Sequence, residues 1–210
     1  MTSINYGNLQ KHQNPSKAQQ FLIYRFHRKI AGLVRQTAVD RLLDSGCGEG
    51  FVLDYFRQEG LVLQYTGCDL RLDALQWARS NLIADLDAAV SDVHRLPFPD
   101  NSFPLVICLE VLEHLPDSAV GLRELARVTS NYLLLSVPHE PFFRGANFLR
   151  GKHVGSLGND PEHLHNYSGG AFYRLVSDVV NVIWHGYSFP WQIVLGQKRR
   201  TSAEPTYSTP

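Results

Sequence analysis

The chain has 210 residues, and its 20 Lys plus Arg are balanced by 20 Asp plus Glu, for a formal net charge of zero. That length allows one α/β domain with a sizeable core, and the charge balance gives no global attraction to nucleic acid or an anionic membrane. No apolar run approaches the roughly 18 residues that a bilayer span needs, and the polar start of the chain lacks the apolar stretch of a signal peptide.

In chain order, residues 1–15 are polar and read as a flexible N-terminal segment. Ser16 is a candidate cap for a helix running to about Thr37, with Leu22, Phe26, Ile30 and Leu33 on one face. Arg25, His27, Arg28, Lys29 and Arg35 decorate the rest of that helix; they read as a solvated face or as a contact to an anionic group. A first strand is expected over 41–47, a helix to about Gln58 and a second strand over 64–69. A helix over 71–83 follows, then strands near 88–92 and 104–110, a helix over 119–128 and an apolar strand over 132–137. Strands alternating with helices imply a parallel sheet covered on both faces. Cys47, Cys68 and Cys108 fall in or at the ends of these strands, which argues against a disulfide framework and for a reducing cytoplasm.

The rhythm then breaks. Residues 138–167 hold no strand pattern, and a connection that long usually forms a lid or binding loop. It carries Phe142, Phe143, Phe148 and Leu149 beside Arg144, Arg150 and Lys152. This combination suits core packing, a lid over an apolar acceptor or a membrane contact. Ser168 is a candidate cap for a helix containing Phe172, Leu175, Val176 and Val179. Strands over 181–189 and 191–199 are separated by Pro190 and expected to be antiparallel. A polar tail over 200–210 completes a single domain spanning 16–199.

The chemistry is concentrated at strand ends. Leu42-Leu43-Asp44-Ser45-Gly46-Cys47-Gly48-Glu49-Gly50 is an apolar run ending in an acid, followed by glycines at every second position. Gly46 and Gly48 allow positive φ and the close approach of a ligand, and a helix begins immediately afterwards. The spacing is G-x-G-x-G, not the G-x-G-x-x-G of dinucleotide sites. The second strand ends in Asp69, followed by Leu70, and the third in Asp92-Val93. Leu96-Pro97-Phe98-Pro99-Asp100-Asn101-Ser102-Phe103 leads into the fourth strand, which ends in Glu110-Val111-Leu112-Glu113-His114.

These blocks, in this order over about residues 41–138, resemble class I S-adenosylmethionine-dependent methyltransferases of the type 11 group. One departure is Pro104, where such proteins usually carry Asp; proline is tolerated at the first position of a strand. The resemblance implies a Rossmann-like α/β fold: a seven-stranded, mostly parallel sheet with helices on both faces and the last strand reversed. It implies S-adenosyl-L-methionine as cofactor, with Asp44, Gly46, Gly48, Gly50 and Glu110 near its methionine part. Asp69 and Leu70 carry over to the ribose region, and Asp92 and Val93 to the adenine. Methyl transfer needs mainly positioning and water exclusion, with a general base for some acceptors. His114, at the mouth of the site, is the candidate base; its bland alternative is a histidine held by a structural hydrogen bond. Glu110, Glu113 and His114 are similar to a metal-binding pattern of small-RNA 2′-O-methyltransferases, with a further ligand from Asp160, Glu162, His163 or His165. The pattern also occurs in relatives without a metal, and none is assigned. The expected activity is a cytoplasmic enzyme methylating a small-molecule or lipid-like acceptor at oxygen. The rivals are a metal-assisted RNA 2′-O-methyltransferase and a cofactor-fold domain that only binds a partner.

Overall fold

The computed structural model describes residues 7–61, 64–140 and 164–199. Its sheet has seven strands: β1 (Arg41–Ser45), β2 (Gln64–Asp69), β3 (Asp87–Val90), β4 (Phe103–Leu109), β5 (Thr129–Pro138), β6 (Asn181–Ser188) and β7 (Trp191–Gln197). The order is β3-β2-β1-β4-β5-β7-β6. The first five strands are mutually parallel, and β7 runs antiparallel to both neighbours. This is the Rossmann-like sheet expected from the alternating pattern, with the last strand reversed. β4 and β5 are apolar and almost wholly buried, as strands covered on both faces must be.

Among the described residues the helices are α1 (Gly7–Gln13), α2 (Lys17–Thr37), α3 (Phe51–Gln58), α4 (Leu72–Asn81), α5 (Ser118–Val128) and α6 (Gly169–Ser177). They divide the core into two layers. Phe26, Ile30, Leu33, Leu53 and Phe56 pack on one face of the sheet. Leu122, Leu125, Phe172 and Val176 pack on the other. Two caps form as side-chain hydrogen bonds: Val120 N–H donates to Asp117, and Ala171 N–H to Ser168. Ser16 makes no such bond at the start of α2.

Three local expectations are corrected. Residues 7–13, read as part of a flexible segment, form α1. Pro104 is the second residue of β4, not the first, and the register with β5 shifts between Phe103 and Leu105. A central strand accommodates a proline, which has no N–H to donate, through such an irregularity. Glu110 to His114 is not one helical face: Glu110 is left-handed (φ 60°), and only Leu112–His114 forms a 3-10 turn.

Most of the 138–167 segment, including Phe142, Phe143, Phe148, Leu149, Asp160, Glu162 and His163, lies outside the described residues. Its two described ends are fastened near each other. His139 N–H donates to Pro190 O and Glu140 N–H to Tyr167 O. Leu164 and His165 both donate their N–H to Glu113 O.

Candidate active site

β1 has β2 on one side and β4 on the other, so the chain reverses its winding direction beside β1. In open α/β sheets the crevice at the carboxyl ends of such strands is where ligands bind. Asp44 stands at that end of β1, Asp69 at the end of β2 and Glu110 immediately after β4.

The glycine turn has the positive φ expected of it. Gly46, Gly48 and Gly50 have φ of 85°, 52° and 77°. What presses on them is the protein itself. A Cβ on Gly46 would lie 2.4 Å from Val111 Cγ2, and one on Gly48 3.3 Å from Asn8 Nδ2. Most of the turn's donors are also engaged. Gly46 and Cys47 N–H donate to Cys68 O at 2.7 and 3.0 Å, Gly50 N–H to Cys47 O at 2.9 Å, and Gly48 N–H to Asp69 Oδ2 at 2.8 Å. A ligand carboxylate would therefore have to look to the first turn of α3, whose N–H groups have no partner within the helix.

The acids differ in their surroundings. Asp44 is buried at 3% exposure. Burial, reinforced by repulsion from Asp69, pushes its carboxyl up to about 8. Glu110 accepts from Ser136 Oγ at 2.8 Å. Burial pushes it up to about 7, against the opposing pull of the Lys11 charge, the Ser136 hydroxyl and the Trp191 side chain. Asp69 also accepts from Arg71 N–H at 2.9 Å, so each of its oxygens holds one backbone donor and keeps a lone pair for another. Leu70 beside it is 63% exposed, an apolar side chain available to a ligand ring. Asp92 accepts from His94 N–H at 2.8 Å and meets His94 Nδ1 at 2.7 Å. The backbone N–H, chiefly, holds its carboxyl below the usual range. Val93 is buried in the core, which leaves its backbone rather than its side chain for a ligand.

His114 is partly exposed on the 3-10 turn, with Nε2 3.9 Å from Glu113 Oε1. Glu113 is buried at 1% exposure. Glu110 is turned toward Ser136, while the Glu113 carbonyl holds the 164–165 segment. Among the described residues no group of three or more His, Cys, Asp or Glu is gathered to hold a metal.

Three further residues at the site do not figure in the sequence reading. Asn8 Nδ2 donates to Glu49 Oε2 at 2.9 Å, and the Lys11 charge is felt at Glu110. Glu49 is buried at 1% exposure, and its Oε1 has no partner among the described residues. Glu49 lies inside the glycine motif and was within reach of the sequence. Asn8 and Lys11 carry no local signal, because contact across the chain alone brings them there.

Comparison with known proteins agrees with this geometry. Residues 43–132 match the family described as a methyltransferase domain. That match, with the relatives that follow, supports a class I, S-adenosylmethionine-dependent methyltransferase domain of the type 11 group over this part of the chain. It is 36% identical over 105 residues to a 27-O-demethylrifamycin SV methyltransferase of Amycolatopsis mediterranei, covering 48% of this chain and 38% of that protein. It is 37% identical over 89 residues to a fatty-acid O-methyltransferase of Mycolicibacterium smegmatis, covering 42% and 32%. The matched segments thus span about a third of these relatives' length. The fold matches a chain in the complex of the Haloferax volcanii Trm112 methyltransferase activator with a putative methyltransferase. There the TM-score is 0.71 at 17% identity, over 95% of this chain and 99% of that one. It also matches magnesium protoporphyrin IX methyltransferase of Synechocystis PCC 6803 with bound SAH, with TM-score 0.68 at 16% identity over 91% and 92%.

The residues present fit the family's cofactor. A sulfonium and an ammonium would favour the ionised forms of Asp44 and Glu110, which burial disfavours in the ligand-free protein. Ribose hydroxyls would use the remaining lone pairs of Asp69, and Leu70 offers an apolar contact.

Proposed function

We propose that this domain transfers a methyl group from S-adenosylmethionine to the oxygen of a small-molecule or lipid-like acceptor in the cytoplasm. The convergence of Asp44, Asp69 and Glu110 on the crevice beside β1 carries this reading. It gathers carboxyls, two of them held from ionising by burial, where a cationic ligand would restore the ionised form. The acceptor class rests on the relatives, whose names include a 27-O-demethylrifamycin SV methyltransferase, a fatty-acid O-methyltransferase and a ubiquinone biosynthesis O-methyltransferase.

Bound S-adenosylmethionine supplies a methyl group already activated by its sulfonium. Asp44 and Glu110 hold the methionine end. Gly46, Gly48 and Gly50 shape the turn under it. Asp69 and Leu70 hold the ribose, and Asp92 with the Val93 backbone the adenine edge. His114, at the exposed mouth beside Glu110, takes the acceptor proton. The remaining work is orientation and exclusion of water.

The test is a panel of hydroxyl- and carboxyl-bearing acceptors incubated with methyl-labelled cofactor, with and without a chelator. Label in an alkali-stable ether or in an ester, unaffected by chelator, is expected. Label on nitrogen or carbon only would overturn the oxygen assignment, and loss of activity on chelation that a divalent ion restores would move the reading to a metal-assisted enzyme. Tight cofactor binding without transfer to any acceptor in the panel would favour a binding domain.

A further inference from the structure

The zero net charge of the chain conceals a segregated face. α2 carries Lys17, Arg25, Arg28, Lys29 and Arg35 and not one acid in its 21 residues. β6, the edge strand it packs against, has no acid either. Between them lies an open groove of about 490 Å³, whose walls include Arg25, Arg28, Lys29, Phe21, Tyr24 and Trp184 and no acid. Glu59, the acid paired with α2, is held by Arg35 outside the groove.

The cations stand over aromatic faces. Lys29 Nζ is 4.6 Å from the Trp184 ring, and the Arg25 guanidinium 5.9 Å from that of Phe21. Phe21 is 58% exposed and Tyr24 49%. Ile183 on the edge strand and Phe189 in the following hairpin are also about half exposed.

The face is placed at the site's own edge. β6 is parallel to β5, so its carboxyl end shares an edge with Asp44 and Glu110. α2 ends just before β1 starts and reaches back across the sheet. The ring of Phe26 in α2 lies 4.8 Å from that of Trp191, the residue that opens β7 at the site edge. Phe21 is more than a turn further in that direction.

We propose that this α2–β6 face docks the protein on an anionic phospholipid bilayer, with the mouth of the crevice toward the lipid. Exposed aromatic rings beside Arg and Lys, on a helix without acids, are the composition that lies in a membrane interface. A small free anion would need no protruding Phe21 or Tyr24 and no exposed Ile183. A second copy of the same face would bring like charges together. The proposal goes beyond methyl transfer, since vesicle binding is read without turnover.

The test is co-sedimentation of the full chain with vesicles of phosphatidylglycerol and phosphatidylcholine in equal parts, and with phosphatidylcholine alone. Binding to the first only, weakening with salt, is expected. Arg25→Glu, Arg28→Glu and Lys29→Glu together should cut the partition coefficient on the order of a hundredfold, with an unchanged circular dichroism spectrum and unchanged S-adenosylhomocysteine affinity. Phe21→Ala with Tyr24→Ala should reduce it severalfold without changing its salt dependence. No partition into the anionic vesicles would overturn the proposal, as would equal partition into neutral ones. So would a folded triple variant that binds like the parent, or a face that selects an RNA oligonucleotide or self-association over vesicles.

Discussion

The floor and the roof of the crevice are built in opposite ways. The floor consists of strand ends: Asp44, the glycine turn, Asp69 and Glu110. Each is placed by its own strand and by a turn of a few residues. The roof is assembled from pieces far apart in the chain. Asn8 of α1 reaches Glu49, and the Lys11 charge is felt at Glu110. The 164–165 segment hangs from the Glu113 carbonyl, and Tyr167 Oη donates to Ser118 Oγ at 2.7 Å. A local motif prescribes the floor, whereas only the finished fold brings the roof together.

The largest effect expected along this divide is chemical. His114 lies on the 3-10 turn that follows β4, with Nε2 3.9 Å from Glu113 Oε1. If it takes the acceptor proton, His114→Ala lowers the rate by about 10²–10⁴ while cofactor affinity stays nearly constant. Single-turnover measurements with calorimetry on S-adenosylhomocysteine separate the two. An unchanged rate would leave His114 a structural side chain and methyl transfer a matter of positioning alone.

The floor has its own breaking point at Gly46. Gly46→Ala adds a Cβ at φ 85° and drives it into Val111. Backbone strain and overpacking together should cost about 2–4 kcal/mol of stability, read as a lower urea midpoint. Gly48→Ala, which meets only the movable Asn8 amide, should cost less stability and act mainly on cofactor binding. Equal destabilisation by the two would show that Val111 yields.

A third outcome concerns Asp44. Its carboxyl is raised to about 8 in the folded, ligand-free protein, so that state holds a proton the unfolded chain releases near 4. Ligand-free stability therefore falls as pH rises from about 4 to 8. A cationic ligand needs the ionised carboxylate and must expel the proton. Cofactor affinity should thus rise by up to about tenfold per pH unit on approaching pH 8 from below, then level off. Glu110, raised to about 7, contributes in the lower part of that window. Asp44→Asn should weaken binding and flatten its pH dependence between 7 and 8. A flat profile in the parent protein would mean that Asp44 does not meet the cation.

Legibility follows the same division. β1 and β4 were readable as apolar runs ending at an acid, β2 and β3 as short segments leading to Asp69 and Asp92, β5 from its apolar centre, and the reversed β7 because Pro190 sits between two strand patterns. The acids at the strand ends were readable for the same reason. Pro104 misled by one position, because a register shift in β4 has no sequence signal of its own. The Glu110 to His114 pattern suggested a helical face that the left-handed Glu110 removes. α1 was illegible in a different sense. Its sequence, Gly-Asn-Leu-Gln-Lys-His-Gln, has no apolar stripe, and its contacts with Glu49 and Phe51 are some 40 residues away in the chain.

The smallest effect tests whether α1 belongs to the site at all. The His12 ring stacks on Phe51, at the start of α3, with centroids 3.8 Å apart and planes 7° apart. Burial, followed by the nearby charges of His27 and Lys11, lowers its imidazole to about 3, so docked α1 requires His12 neutral. The sign follows from linkage. A folded-state value below the ordinary 6.5 gives stability that is complete above about 6.5 and lost as pH falls toward 3. Docking of α1 should weaken by up to about 1.4 kcal/mol per pH unit across that window. Amide hydrogen exchange of α1, corrected for intrinsic rates, should show protection at pH 7 that fades at pH 5. His27, lowered by burial to about 4, titrates in the same direction, so the parent protein alone cannot assign the effect. His12→Phe preserves a ring over Phe51 and removes the titration at this position. It should hold much of the protection at pH 5, and any loss that persists belongs to His27. Equal protection of the parent at both pH values would detach α1 from His12 and leave the roof without this pH-sensitive contact.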